Sequence, residues 1–378
     1  MTFTGLQMMR WLAAMLVAVM HITQALSVHL TGQGHNHYWG QGSAGVDIFF
    51  VISGFVMGIT TPAAAASGAE RAQQAWHFLK RRLIRVLPLY WMYTGLKVAL
   101  LAAVPTMASH FSLDAAHLAA SLAFVPWLSP WGEVQPVLPV GWTLNFEMLF
   151  YALFALAMLL GAPRLGLCLA VFWLLMGWAQ WGSAATAVNF WGSSITLEFV
   201  SGVGLARLHT LQSHWRWRPI PPEAGLLAAC LGLVLMFGVP WSADDNRFLS
   251  WGLAATLLVA GAIWMEPWLQ QLRATKAFQT PIAALVFLGD ASFSIYLSHT
   301  FVAPGVVRAA VQLGLASPTA VGLLAALCVL LAGGLSYALL ERPMTRQLLR
   351  GLMRPRPLAP AQPTHQDHPD HRTAPHAP

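Results

Sequence analysis

RWLAAMLVAVMH, residues 10–21, sets an arginine at one end of an unbroken apolar run and a histidine at the other. The run belongs to a stretch from about 10 to 28, long enough to cross a bilayer as a helix, which takes roughly 20 mainly apolar residues. At about 100° per residue, the step from 10 to 21 returns the histidine to nearly the face of the arginine, roughly 16 Å along the axis. One helical face therefore joins a boundary guanidinium to a mid-membrane imidazole. Each end has an ordinary explanation: Arg10 as a topology signal or snorkelling anchor, His21 as a hydrogen-bonded packing residue. A cleaved signal peptide is the weaker reading, because the run is long enough to span and many spans follow.

The rest of the chain has the same character. Its 378 residues are 57% hydrophobic and 9% charged, far from an ordinary soluble domain, which makes it a polytopic membrane protein. The 17 tryptophans and 19 phenylalanines fit the aromatic enrichment of bilayer interfaces and do not suggest nucleic acid. Cys168, Cys230 and Cys328 all lie in apolar segments, so no disulfide framework or CxxC metal site is visible.

The spans predicted by length and apolarity are 10–28, 44–60, 84–104, 138–160, 165–182, 190–207, 223–240, 249–266, 282–303 and 319–340. The proline-containing piece at 118–130 reads as interfacial or re-entrant. Lys and Arg test this scheme, since cytoplasmic loops carry the positive excess. With a cytoplasmic N-terminus, the inner loops and tail hold Arg71, Lys80, Arg81, Arg82, Arg85, Arg164, Arg207, Arg216, Arg218, Arg273, Lys276, Arg342, Arg346, Arg350, Arg354, Arg356 and Arg372. The outer loops hold only Arg247 and Arg308, Arg10 stands at the first inner boundary, and Lys97 lies within the third span. The expected fold is an all-α transmembrane bundle of about ten spans, both termini cytoplasmic, over residues 1–345. Residues 346–378, rich in Pro and His with little to bury, read as a disordered cytoplasmic tail whose histidines lack a fixed ligand geometry.

Ionisable groups in the hydrocarbon region cost several kcal/mol unless paired or facing a cavity. They are His21, Asp47, Lys97, Glu147, Glu198, Asp290 and His299. Ser53 and Gly54, at mid-depth in the second span, read as small residues for close helix packing. Arg81, Arg82 and Arg85 gather at the inner end of the third span, before Pro88. Their planar forks suit phosphates, although positive-inside topology explains them equally well. Glu147 shares a face with Thr143 and Tyr151. Asp290, Ser292, Ser294, Tyr296 and His299 crowd one span, which should therefore line a cavity.

In order, these motifs resemble the acyltransferase-3 family of integral membrane acyltransferases, which includes enzymes that O-acetylate bacterial exopolysaccharide and lipopolysaccharide. The carriers are Arg10 with His21, GVDIFFVISGF at 45–55, RRLIRVLP at 81–88, WTLNFEMLFY at 142–151, SFSIYLSH at 292–299 and ERP at 341–343. The resemblance covers about residues 5–345. Thr143 stands where the family usually has serine and Phe293 where it usually has tyrosine, which puts any role for those hydroxyls in doubt. Some members add an extracytoplasmic hydrolase-like domain; none is read here, so the chain is expected to act alone on its acceptor or with a separate partner.

The resemblance implies transfer of an acyl group, acetyl first among them, from cytoplasmic acyl-CoA to a hydroxyl of a cell-surface or lipid-linked glycan, in the bacterial inner membrane and with no metal. Arg10, Arg82 and Arg85 would hold the coenzyme's phosphates. His21 would be the general base or an acyl-imidazole nucleophile, with base catalysis favoured. Glu147 would orient or charge-balance the imidazole, and Asp47 would join them on the outer side. Trp142, Tyr151, Ser292, Tyr296 and His299 would bind substrate. The alternative is a proton-coupled transporter of a small solute, against which stand the lack of internal repeats and of paired broken helices in the sequence.

Overall fold

A computed structural model describes residues 3–34, 38–61, 67–103, 114–180, 186–214, 220–239 and 246–352. The helices are α1 (Thr4–His29), α2 (Ala44–Thr60), α3 (Gly68–Ala103), α4 (Ala115–Leu122), α5 (Trp142–Leu160), α6 (Arg164–Gln180), α7 (Thr186–Trp191), α8 (Thr196–His214), α9 (Pro222–Gly238), α10 (Leu253–Trp264), α11 (Glu266–Ala274), α12 (Lys276–Asp290), α13 (Ser292–Gln312), α14 (Pro318–Ser336) and α15 (Arg342–Leu352). Among the described residues there is no strand, only one isolated bridge between Leu128 and Val134. The all-helical expectation holds.

Among the described residues, five helical segments are long and apolar enough to cross a membrane: Thr4–His29, Gly40–Thr60, Gly68–Ala103, Pro139–Leu160 and Pro318–Gly351. Counting each of two bent pairs as one span gives up to seven. The remaining expected spans fall on α6 and α9, 17 residues each, and on the broken segment α7–α8. At 118–130 the chain forms only the short α4 and then a loop, pinned where the Ser121 hydroxyl accepts from the Val137 amide at 2.9 Å. Eight residues of helix reach only about 12 Å, too little to cross.

Two sequence readings are corrected. The polar cluster at 290–299 does not sit in one continuous span: α12 and α13 are bent by 70° at Ala291. A second bend of 51° separates α10 from α11, so the supposed lack of broken helices no longer argues against transport. The helix α15 also runs past residue 345 to Leu352, its Arg342, Arg346 and Arg350 four residues apart on one face. The rest of the expected tail, with Arg354, Arg356 and Arg372, lies outside the described residues, as do Arg216 and Arg218.

α1 is the hub, packed on α2, α10, α12, α13 and α14. Its first free amides are capped from far along the chain: Thr4 and Gly5 N–H donate to the Glu266 carboxylate at 2.7 and 2.8 Å. That satisfies orphan donors and sets negative charge at the positive end of the dipole. α2 packs closely against α8. A Cβ on Gly54 would clash with the Phe199 carbonyl, and one on Gly202 with that of Val51, so here the packing reading of Gly54 stands. α3 is continuous through Pro88 and, at 36 residues, about 54 Å long. Its polar first turns therefore project beyond a core of roughly 30 Å.

Candidate active site

The two ends of the α1 face open onto different cavities. Arg10 lines one of about 100 Å³, together with Ser53, Arg82, Arg85, Thr143, Glu147, Tyr151, Ser292, Phe293 and Tyr296. His21 lines another of about 540 Å³, with Gln24, His29, Lys97, Gln135, Val140, Thr300, Phe301 and Arg308.

The Arg10 cavity draws on α1, α2, α3, α5 and α13. Arg82 lies over the Phe78 ring at 5.6 Å and donates to Thr60 Oγ1 at 3.1 Å. Among the described residues the sole ion pair of the chain is elsewhere, between Arg247 and Asp47. Three guanidiniums thus face one cavity whose carboxylate, Glu147, is beyond ion-pair distance of each. The cavity lining thus has three guanidiniums to one carboxylate, with Glu341 and Asp290 near enough to act on Arg10 from outside the lining, and planar guanidinium forks suit an anion. Ser292 adds a polar group at the start of α13: its hydroxyl is fully buried and without a hydrogen-bond partner.

Glu147 is not engaged with the imidazole it was expected to orient. Its carboxylate accepts from Tyr151 Oη and, at 3.4 Å, from Ser53 Oγ. The i, i+4 spacing of Glu147 and Tyr151 on α5 makes the first bond, and the approach of α2 makes the second. Ser53 therefore lines the site, where sequence suggested packing alone.

His21 Nδ1 lies 2.9 Å from the Val17 carbonyl. A carbonyl only accepts, so Nδ1 carries the proton and Nε2 presents its lone pair. His299 is held in the same way, Nδ1 to the Ile295 carbonyl at 3.3 Å, with its Nε2 buried and unpartnered. The two rings stand 4.9 Å apart.

Asp47 departs furthest from expectation. Fully buried, it takes a fork from Arg247, Nε to Oδ1 at 3.0 Å and Nη2 to Oδ2 at 2.7 Å, while the same Nη2 reaches the Ser43 carbonyl at 3.2 Å. Both oxygens are occupied by a structural pair tying α2 to the turn before α10, and neither is presented to a cavity. Glu198, another costly intramembrane acid, is buried behind this pair with both oxygens unpartnered. Arg247 was legible only as an outer-loop arginine, because nothing local in the sequence names a partner 200 residues away.

The expected substrate residues divide. Tyr151, Ser292 and Tyr296 line the Arg10 cavity. Trp142, half-buried against Phe146, and His299 line neither cavity. Tyr296 Oη donates to the Val140 carbonyl at 2.9 Å and pairs with Thr143 Oγ1 at 3.0 Å. The Thr143 hydroxyl, in doubt from the sequence, thus fixes Tyr296. Glu341 accepts from Ser294 Oγ at 2.6 Å, which gives the closing ERP motif a buried structural anchor that the sequence did not assign.

A family model described as "Acyltransferase domain" matches residues 3–338. The exopolysaccharide production protein ExoZ of Rhizobium meliloti (strain 1021) is 36% identical over 317 residues, covering 82% of this chain and 92% of that protein. Acyltransferase MdmB of Streptomyces mycarofaciens is 28% identical over 392 aligned positions, covering 95% and 94%. No solved structure matches.

Proposed function

The chain belongs to the acyltransferase family whose model spans residues 3–338, it is an acyltransferase, and from that premise we propose that it moves an acyl group, acetyl first among them, from cytoplasmic acyl-CoA to a hydroxyl of a cell-surface or lipid-linked glycan. The observation that carries this is the pair of cavities on one face of α1: guanidiniums Arg10, Arg82 and Arg85 at one end, an imidazole with an open Nε2 at the other. The printed name of ExoZ ties that relative to exopolysaccharide production, which supports a glycan acceptor. The distribution of Lys and Arg supports a multi-pass inner-membrane protein with both termini cytoplasmic. α6, α8 and α9 complete ten spans, since a helix of 17 residues is at the lower limit for crossing.

In this reading the three arginines hold the coenzyme's phosphates at the inner face, and Ser292 offers its hydroxyl to an anionic or carbonyl oxygen nearby. The narrow pantetheine arm runs up the cavity toward Tyr296. The acceptor hydroxyl approaches from the other side and gives its proton to His21 Nε2 as its oxygen attacks the thioester carbonyl. The C–S bond breaks, the coenzyme leaves as thiolate, and the imidazolium returns the proton to sulfur. Nδ1 stays committed to Val17 throughout, which holds the ring in the basic tautomer.

Full-length protein in nanodiscs, given radiolabelled acetyl-CoA and candidate glycans, tests this. Transfer is expected in wild type and lost in His21→Ala; transfer that survives His21→Ala overturns the catalytic assignment. Coenzyme binding unchanged in Arg10→Ala, Arg82→Ala and Arg85→Ala overturns the phosphate clamp.

A further inference from the structure

A third cavity, of about 700 Å³, has no part in the steps above and shares no lining residue with the Arg10 or the His21 cavity. It lies where the last turn of α2, the turn from α5 into α6 and the second half of α8 come together. Ile59, Met158, Leu165 and Val203 give it apolar walls, and Arg164 and Arg207 also line it. Among the described residues the lining contains no acidic side chain.

A further arginine reaches the rim from another helix. Arg71, in the first turn of α3, is packed against Gly161, which lines the cavity: a Cβ there would fall 2.5 Å from Arg71 Nη1. Gly161 has φ +67°, a conformation that glycine adopts at little cost, so the end of α5 leaves room for the guanidinium. Arg71 Nε is buried without a hydrogen-bond partner. Glu70 is not its counterion: that carboxylate accepts from the Ser67 amide at 3.4 Å, and among the described residues neither Arg71 nor Arg207 is in an ion pair. A topology signal requires only that arginines stand on one side of the membrane. It does not require arginines from separate helices to converge on one apolar cavity.

The surroundings decide the class of ligand. Leu160, next to Gly161, and Leu208, next to Arg207, are exposed where the bilayer meets the ends of α5 and α8. A ligand at this place meets guanidiniums on one side and apolar wall and acyl chains on the other, which suits a phospholipid better than a free anion. We propose that this cavity binds the head group of an anionic phospholipid, its phosphodiester held by Arg71 and Arg207. The site goes beyond acyl transfer, since neither arginine belongs to the donor or the acceptor cavity. A lipid bound there ties the start of α3 and the ends of α5 and α8 to the last turn of α2, whose Thr60 accepts from Arg82 at 3.1 Å.

The test is equilibrium binding, which does not depend on turnover. Full-length protein in a non-ionic detergent is titrated with phosphatidylglycerol and with phosphatidylcholine of the same acyl chains, and occupancy is read by native mass spectrometry. Phosphatidylglycerol is expected to bind about tenfold or more tighter, the scale that two arginines beside an anionic head group supply. The double change Arg71→Gln with Arg207→Gln is expected to remove that preference, and Arg71→Lys with Arg207→Lys to retain most of it. Arg346→Gln, which changes an arginine of α15 outside the cavity, is expected to keep it in full. Equal binding of the two lipids overturns the proposal, as does a preference that survives the double Gln variant. A preference lost equally in Arg346→Gln would show a diffuse surface charge and no site. Displacement of phosphatidylglycerol by inorganic phosphate would make this a free-anion site, and displacement by coenzyme A would assign the cavity to the donor; either result overturns the lipid assignment.

Discussion

The carboxylate of Glu147 and the imidazole of His21 belong to different cavities, and that separates two readings of the acid. A carboxylate that oriented the base would, when neutralised, lower kcat and leave coenzyme affinity alone. One that faces three guanidiniums competes with the incoming phosphates. Glu147→Gln is therefore expected to lower the KM for the coenzyme several-fold, read from initial rates at saturating acceptor; an unchanged KM with reduced kcat would return Glu147 to His21. The same scale covers Asp47. Removing one partner of a buried pair leaves the other uncompensated, so Asp47→Ala is expected to destabilise on the order of 3 kcal/mol. The double variant with Arg247→Ala should cost less than the two single changes together, measured by thermal unfolding in detergent; strict additivity would mean the pair is not coupled.

At the scale of elements, α1 is positioned by its ends as much as by its apolar face. Glu266 sits at the start of α11, just past the bend from α10, and its carboxylate reaches both first amides of α1. Glu266→Ala is expected to cost about 1 kcal/mol, the usual worth of an N-terminal cap. Because α1 carries both Arg10 and His21, hydrogen exchange at the first turn should rise with it; no change there would show that packing alone fixes the helix. The break at Ala291 acts likewise. It starts a new helix at Ser292, so that the hydroxyl and the first turn of α13 face the arginines, which a continuous span would have turned along its axis.

For the whole molecule, the decisive feature is the thin wall between the two cavities. It consists of Tyr296, its acceptor Val140 and its partner Thr143, with His299 packed between Tyr296 and His21. In the proposed reaction such a wall shields a thioester in the Arg10 cavity from water in the His21 cavity, and the Tyr296 side chain has to move aside when the acceptor reaches it. Tyr296→Ala is expected to raise acceptor-independent hydrolysis of acetyl-CoA relative to glycan transfer several-fold, measured as free coenzyme released with and without glycan. A ratio equal to wild type would show that the wall does not separate the reactants. Thr143→Ser keeps the hydroxyl and should leave the ratio unchanged.

Much of this was legible in the residues. Apolar runs need only length to declare helices, and helical periodicity alone put Arg10 and His21 on the one helix α1, eleven residues apart. The order of six short motifs pointed to the family, which the match over residues 3–338 establishes. Tertiary structure decided what depends on distant neighbours: that Asp47 is consumed by Arg247, that Glu147 turns to Ser53 and Tyr151, and that the span at 282–303 is bent. A single sequence records which groups are costly to bury, because that cost is local to the side chain. It does not record which partner offsets the cost, because that is fixed only when helices hundreds of residues apart are packed together.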